Sequence, residues 1–129
     1  MIGIWYQYSS LFLIISGVAM LAAFGLPLML IPIGWARVYR WPLPQDRTLA
    51  IFLGRSMGIF ITIMAIFAFR VTQIPAAKPF FFDLMLAIFG GMILLHVYGA
   101  ISKTQPVTET LEIVMWVVLS LVTLGFYPV

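Results

Sequence analysis

Residues 48–69 read TLAIFLGRSMGIFITIMAIFAF, an apolar run that carries a single charged residue, Arg55. As an α-helix this run is about 33 Å long at about 1.5 Å per residue, which matches the roughly 30 Å of hydrocarbon in a bilayer. The whole chain has the same character, since 64% of its 129 residues are hydrophobic and only 9% are charged. A soluble domain carries about 25% charged residues, so this composition excludes a soluble globular protein and predicts an integral membrane protein.

Three further apolar segments accompany this run, and the sequence predicts an all-α integral membrane bundle of four transmembrane helices with short loops. We predict a single domain, residues 1–129, with helices at about 11–34, 48–69, 80–101 and 109–127. Pro27 and Pro32 are expected to kink the last third of the first helix, because proline has no N–H to donate.

Basic residues are unevenly distributed between the predicted loops, and this distribution predicts an orientation. The first and third loops hold Arg37, Arg40, Arg47 and Lys103, whereas the second holds Arg70 and Lys78. Cytoplasmic loops of membrane proteins carry an excess of Lys and Arg. We therefore predict that the first and third loops are cytoplasmic and that both termini lie outside the cytoplasm, with a bacterial inner membrane as the location.

Small residues recur at helical spacing in the second and third predicted helices, and such positions let helices approach closely. We predict helix-packing faces at Ala50, Gly54, Gly58 and Thr62, and at Ala87, Gly91 and Gly99. These faces either pack within the chain or dock another chain, and the sequence leaves both interpretations open.

Arg55 lies about 10 Å inside the predicted second helix, where an unpaired central charge costs at least about 2.5 kcal/mol. The same half of the membrane is predicted to hold His96, Glu109 and Glu112. We predict that these four residues form a buried polar cluster or contact a ligand, with an Arg–carboxylate pair as the simplest arrangement. The alternatives are an Arg55 that snorkels, a His96 used only in packing, and glutamates that stabilise a helix N-terminus.

Residue sets that would support catalysis are absent from the sequence, which has no cysteine, no HExxH and no phosphate-binding loop. We therefore predict a protein that is not an enzyme. His96 and Glu112 alone would leave a first-row metal short of ligands, so no metal site is predicted. The sequence requires no cofactor, although one histidine could ligate a pigment or hydrogen-bond a quinone. Seven basic residues are too few for a nucleic-acid partner.

Two short motifs resemble the small four-helix membrane proteins of the DoxX-like families. Gly-Leu-Pro at 25–27 ends the first helix, and Leu-Gly-Arg-Ser-Met-Gly at 53–58 opens the second. The resemblance covers about a third of the chain. It implies a four-helix membrane fold that is sometimes associated with redox complexes and often has no known activity.

These observations predict a non-catalytic accessory or structural subunit of a larger membrane complex or homo-oligomer. Its expected partners are membrane lipids and other membrane subunits or further copies of itself. One alternative is a membrane binding protein for a quinone, lipid or pigment that uses the region of Arg55, His96 and Glu112. Another alternative is a small transporter or channel.

Overall fold

A computed structural model gives the structure of residues 2–129, which are mostly helical and contain no strand. The α-helices are α1 (Ser9–Met20), α2 (Leu26–Leu30), α3 (Pro32–Val38), α4 (Thr48–Val71), α5 (Lys78–Ser102) and α6 (Val107–Gly125). Short 3-10 turns occupy Tyr6–Tyr8 and Pro75–Ala77, and a π-helical turn occupies Leu21–Gly25.

Four helical stretches are long and apolar enough to cross a membrane: Tyr6–Leu30, Thr48–Val71, Pro75–Ser102 and Val107–Gly125. The predicted all-α fold with four transmembrane helices is therefore confirmed. The first span begins earlier than predicted and also ends earlier, whereas the other three differ from the predicted bounds by a few residues.

Two prolines shape the first span and the segment after it. A π-helical turn at Leu21–Gly25 precedes Pro27, and the helix breaks at Ile31, directly before Pro32. Pro27 has no N–H to donate to the carbonyl of Ala23 one turn earlier. That carbonyl accepts a hydrogen bond of 3.2 Å from the indole Nε1–H of Trp35 in α3. The predicted kink is thus a complete break, and α3 continues as a separate helix.

The described residues form two compact units, one of residues 13–70 and one of residues 2–12 together with 71–129. In the first unit, α4 packs against the preceding helical segments through its small residues. A methyl group added at Gly54 would lie 2.6 Å from Cβ of Pro32, and one added at Gly58 would lie 2.8 Å from the carbonyl oxygen of Gly25. Thr62 also faces Gly25. At these glycines, α4 therefore comes close enough to the preceding segments for their backbones to touch.

The first turn of α4 is supported from the preceding loop. The carboxylate of Asp46 accepts a hydrogen bond of 2.9 Å from the backbone N–H of Thr48. The backbone and side-chain hydrogen bonds from Thr48 lower the pKa of Asp46 below its usual value. Because the folded-state pKa is lowered, this support is present above the usual Asp pKa and is lost as the pH falls through the lowered value.

In the second unit, the N-terminal segment lies against the C-terminal end of α6. The backbone N–H groups of Gly3 and Trp5 donate to the carbonyls of Leu124 and Gly125, both at 2.9 Å. The hydroxyl of Tyr127 donates to Asp83 in the first turns of α5 at 2.8 Å. Aromatic rings fill this end of the unit, where Phe12 stacks on Phe126 with 4.8 Å between centroids. Both ends of the described chain therefore meet at one end of this unit.

Candidate functional site

The tight turn between α5 and α6 lies at the other end of the second unit. α5 ends at Ser102, and Lys103 adopts a left-handed conformation with φ of 55°. The N–H of Thr104 then donates to the carbonyl of Gly99 at 3.0 Å, which closes the helix end. Pro106 precedes the first residue of α6. This turn brings the last part of α5 beside the first turns of α6.

Three titratable side chains meet beside this turn, and we call them the His–Glu cluster: His96, Glu109 and Glu112. The Nε2 atom of His96 lies 3.1 Å from Oε2 of Glu109 and 3.5 Å from Oε2 of Glu112. His96 is 2% exposed and Glu109 is 7% exposed. The two glutamates are one turn apart on the same face of α6, so both carboxylates reach the same imidazole.

The hydrogen bonds of His96 determine which of its ring nitrogens carries a proton. Nδ1 lies 2.7 Å from the carbonyl oxygen of Met92, one turn earlier in α5. A carbonyl can only accept, so Nδ1 must be the donor in this contact. Nε2 therefore faces the two carboxylates either as a lone pair or, in the imidazolium form, as a second N–H.

Gln105 holds the turn over the cluster, a role that the sequence analysis missed. Its side-chain amide donates to the carbonyl of His96 at 2.9 Å and to the hydroxyl of Thr110 at 3.1 Å. A methyl group at Gly99 would collide with this amide. Gly99, predicted as a helix-packing residue, therefore makes room for Gln105. The only feature of the sequence that could have indicated this contact is the glutamine six residues after Gly99, and that spacing is weak evidence.

Trp116 lies one turn beyond Glu112 in α6 and closes the cluster on the side away from the turn. Its ring is 3% exposed, and its centroid is 6.3 Å from the centroid of His96 and 5.5 Å from that of Phe89. Within residues 2–129 its indole Nε1 has no hydrogen-bond partner. The indole lies beside the carboxylate of Glu112. A buried donor of this kind needs an acceptor.

Arg55, the fourth residue of the predicted cluster, belongs to the unit of residues 13–70. It is exposed on α4 and lines an open, otherwise apolar pocket with Arg37 of α3. Three of the four predicted residues are therefore brought together within one unit. A pairing of Arg55 with a glutamate stays a prediction.

The predicted packing residues divide into two groups. Gly54, Gly58 and Thr62 lie in the contact of α4 with the preceding segments, and Ala50 is half-buried. Ala87 and Gly91 on α5 are exposed instead, and within the described chain a methyl group at Gly91 would meet nothing within 4 Å.

The His–Glu cluster offers one imidazole nitrogen and two carboxylate oxygens, all within 4.8 Å of one another. The prediction of no metal site considered only two ligands, His96 and Glu112. The structure adds Glu109 as a third. Chemically the cluster can hold a proton between its members, accept hydrogen bonds or bind a cation.

Known proteins add no assignment, since no protein-family model, no curated protein and no solved structure matches the chain. The resemblance to DoxX-like proteins stays a prediction.

Proposed function

We propose that this chain is a membrane-integral, non-catalytic binding protein and that the His–Glu cluster is its binding site. The observation that carries the proposal is the contact of buried His96 and Glu109 with the half-buried Glu112 in helices that can span a membrane. Titratable groups in such helices are costly, and apolar side chains of similar size usually stabilise a fold as well or better. The stability of the fold therefore does not explain why these residues are present, whereas the binding of a ligand does.

The chemistry of the cluster favours a ligand that is positively charged or donates hydrogen bonds. Two carboxylates accept hydrogen bonds and do not donate them when ionised. A quinone carbonyl would find the indole N–H of Trp116 and, in the imidazolium form, the Nε2–H of His96, whereas a quinol hydroxyl could donate to Glu109 or Glu112. Axial ligation of a pigment would require Nε2 of His96 to separate from Glu109, which lies 3.1 Å away. A lipid phosphate finds its complement elsewhere, at Arg37 and Arg55 in the pocket of the other unit.

An accessory subunit of a larger membrane assembly is the second candidate function, and a different observation favours it. Added methyl groups at Gly90 and Gly91 would meet nothing within 4 Å in the described part of the chain. Small residues on an uncovered face let another transmembrane helix approach closely. The occupant we propose for this face is a helix of another membrane protein.

Gentle extraction followed by native mass spectrometry distinguishes the two functions. We expect a bound ion or small molecule on the wild-type chain that is lost when His96, Glu109 and Glu112 are all replaced by Leu. Replacing Gly91 by Leu should leave that ligand in place. A stable partner protein that is lost only on Gly91→Leu would favour the accessory subunit, and a wild-type chain with nothing bound would contradict both proposals.

We further propose that the chain lies in a bacterial inner membrane with the loops at Arg37–Arg47 and Lys103 in the cytoplasm and both termini outside it. Support comes from the excess of basic residues in those loops and from the backbone hydrogen bonds that join Gly3 to Leu124. A phosphatase that is active only outside the cytoplasm should be active when fused after Val129. A fluorescent reporter that folds only in the cytoplasm should be inactive there, and the reverse pattern would contradict the orientation.

A further inference from the structure

We propose that the His–Glu cluster is a binding site for one divalent first-row transition ion such as Zn²⁺ or Mn²⁺. This inference rests on the proposed binding function and names its ligand. The ligands are Nε2 of His96 and one carboxylate oxygen each from Glu109 and Glu112, which all lie within 4.8 Å of one another. Ligand atoms about 2.1 Å from a tetrahedrally coordinated ion lie about 3.4 Å apart, so the most distant pair must approach by up to about 1.4 Å to complete the site.

The orientation of His96 is the one that metal-bound histidines adopt. A ligating histidine commonly donates its other ring N–H to a backbone carbonyl or a carboxylate, which fixes the tautomer. Nδ1 of His96 donates to the carbonyl of Met92 at 2.7 Å. The neutral ring then directs its Nε2 lone pair at the two carboxylates. A lone pair facing ionised carboxylates is unfavourable unless a proton or a metal ion lies between them, and the metal ion would take the place of the proton.

Charge balance favours a divalent ion over a monovalent one. Two ionised glutamates and a neutral imidazole carry two negative charges, and a divalent ion brings the buried site to neutrality. Buried charges need this compensation because their solvation by water is lost. Imidazole and carboxylate together suit Zn²⁺, Mn²⁺ or Fe²⁺, whereas Ca²⁺ requires six to eight oxygen ligands, more than this cluster offers.

Trp116 places a buried hydrogen-bond donor beside the proposed site. Its indole N–H is buried, lies beside Glu112 and has no hydrogen-bond partner among residues 2–129. An indole nitrogen does not bind metals, but its N–H can donate to an oxygen bound to one. Three protein ligands leave a position open on the ion, and a water there would accept this hydrogen bond.

The test is metal analysis of the full chain purified in detergent. The protein is stripped with a chelator, equilibrated with Zn²⁺ or Mn²⁺, desalted and analysed for metal by mass spectrometry. We expect about one ion per wild-type chain and at least tenfold weaker binding for Glu112→Gln, which keeps the shape of the side chain. The matched control is Asp83→Asn, since Asp83 is also a carboxylate of this unit and lies near the start of α5, at the end away from the cluster. It should bind as the wild type does.

The absorption spectrum of wild-type protein with Co²⁺ provides a second readout that needs no variant. We expect the visible absorption bands of Co²⁺ bound by nitrogen and oxygen ligands. Added Zn²⁺ should displace the Co²⁺ and abolish these bands. A wild-type chain that binds no ion, or an Asp83→Asn chain that loses as much metal as Glu112→Gln, would overturn the metal site. If the wild type instead holds an organic molecule that the triple-Leu variant lacks, the binding function stands and the metal inference fails.

Discussion

Replacing Gly58 by Ala is expected to destabilise the protein by about 3 kcal/mol, the upper part of the usual range for overpacking. The added methyl group would lie 2.8 Å from the carbonyl oxygen of Gly25 and from Cα of Met29, and closer still to the backbone nitrogen of Met29. Backbone atoms cannot rotate away as a side chain can, so the helices must separate. Unfolding of the purified protein in mixed micelles measures the loss.

Gly91→Ala is the matched control, because it makes the same chemical change in the interior of another membrane-spanning helix. A methyl group at Gly91 meets open space within the described chain, so we expect no loss and a gain of up to about 1 kcal/mol, because alanine is the better helix former. Equal losses of stability for both variants would show that packing at Gly58 is not the cause of the loss.

Replacing His96 by Leu is expected to destabilise the chelator-treated protein by about 3–5 kcal/mol, the cost of removing one partner from a buried charged group. Glu109 and Glu112 would then lie side by side without the imidazole between them. The variant in which all three residues become Leu should regain the stability of the wild type or exceed it, since no buried titratable group of the cluster is left without its partner.

Thermal unfolding of the single and triple variants beside the wild type tests this expectation. A triple variant less stable than His96→Leu would mean that the cluster stabilises the fold in its own right. That result would remove the argument that the cluster exists for a ligand. A triple variant that is stable but binds neither ion nor small molecule would instead show that the cluster serves binding and is not needed for stability.

Much of the fold could be predicted because it depends on local properties of the chain. In a bilayer the backbone polar groups must be satisfied within the protein, and a helix does this inside a single segment, so an apolar run as long as 48–69 is predicted to be a helix. The effect of Pro27 and Pro32 is equally local, because a missing N–H acts on the turn that contains it. The same reasoning predicted that small residues such as Gly54 and Gly58 would contact another helix.

The candidate site could be predicted only in part. The depth of His96 and of the glutamates followed from helix geometry, so their common level in the membrane was predictable. Their contact depends on the rotation of α5 relative to α6, which the left-handed Lys103 and the side chain of Gln105 set. Neither feature leaves a clear mark in a single sequence. For the same reason the exposure of Gly91 could not be distinguished from the burial of Gly58.

The sequence by itself determined that this protein is all-helical, that it can cross a membrane four times and where its charges lie along each helix. These properties depend on hydropathy and on hydrogen bonds between residues one turn apart. Only the tertiary structure decided that Nε2 of His96 lies 3.1 Å from Glu109 and that Trp116 closes the cluster without a hydrogen-bond partner in the described chain. Such contacts join residues from two helices, and their distances depend on a turn and on helix rotation, which hydropathy does not encode.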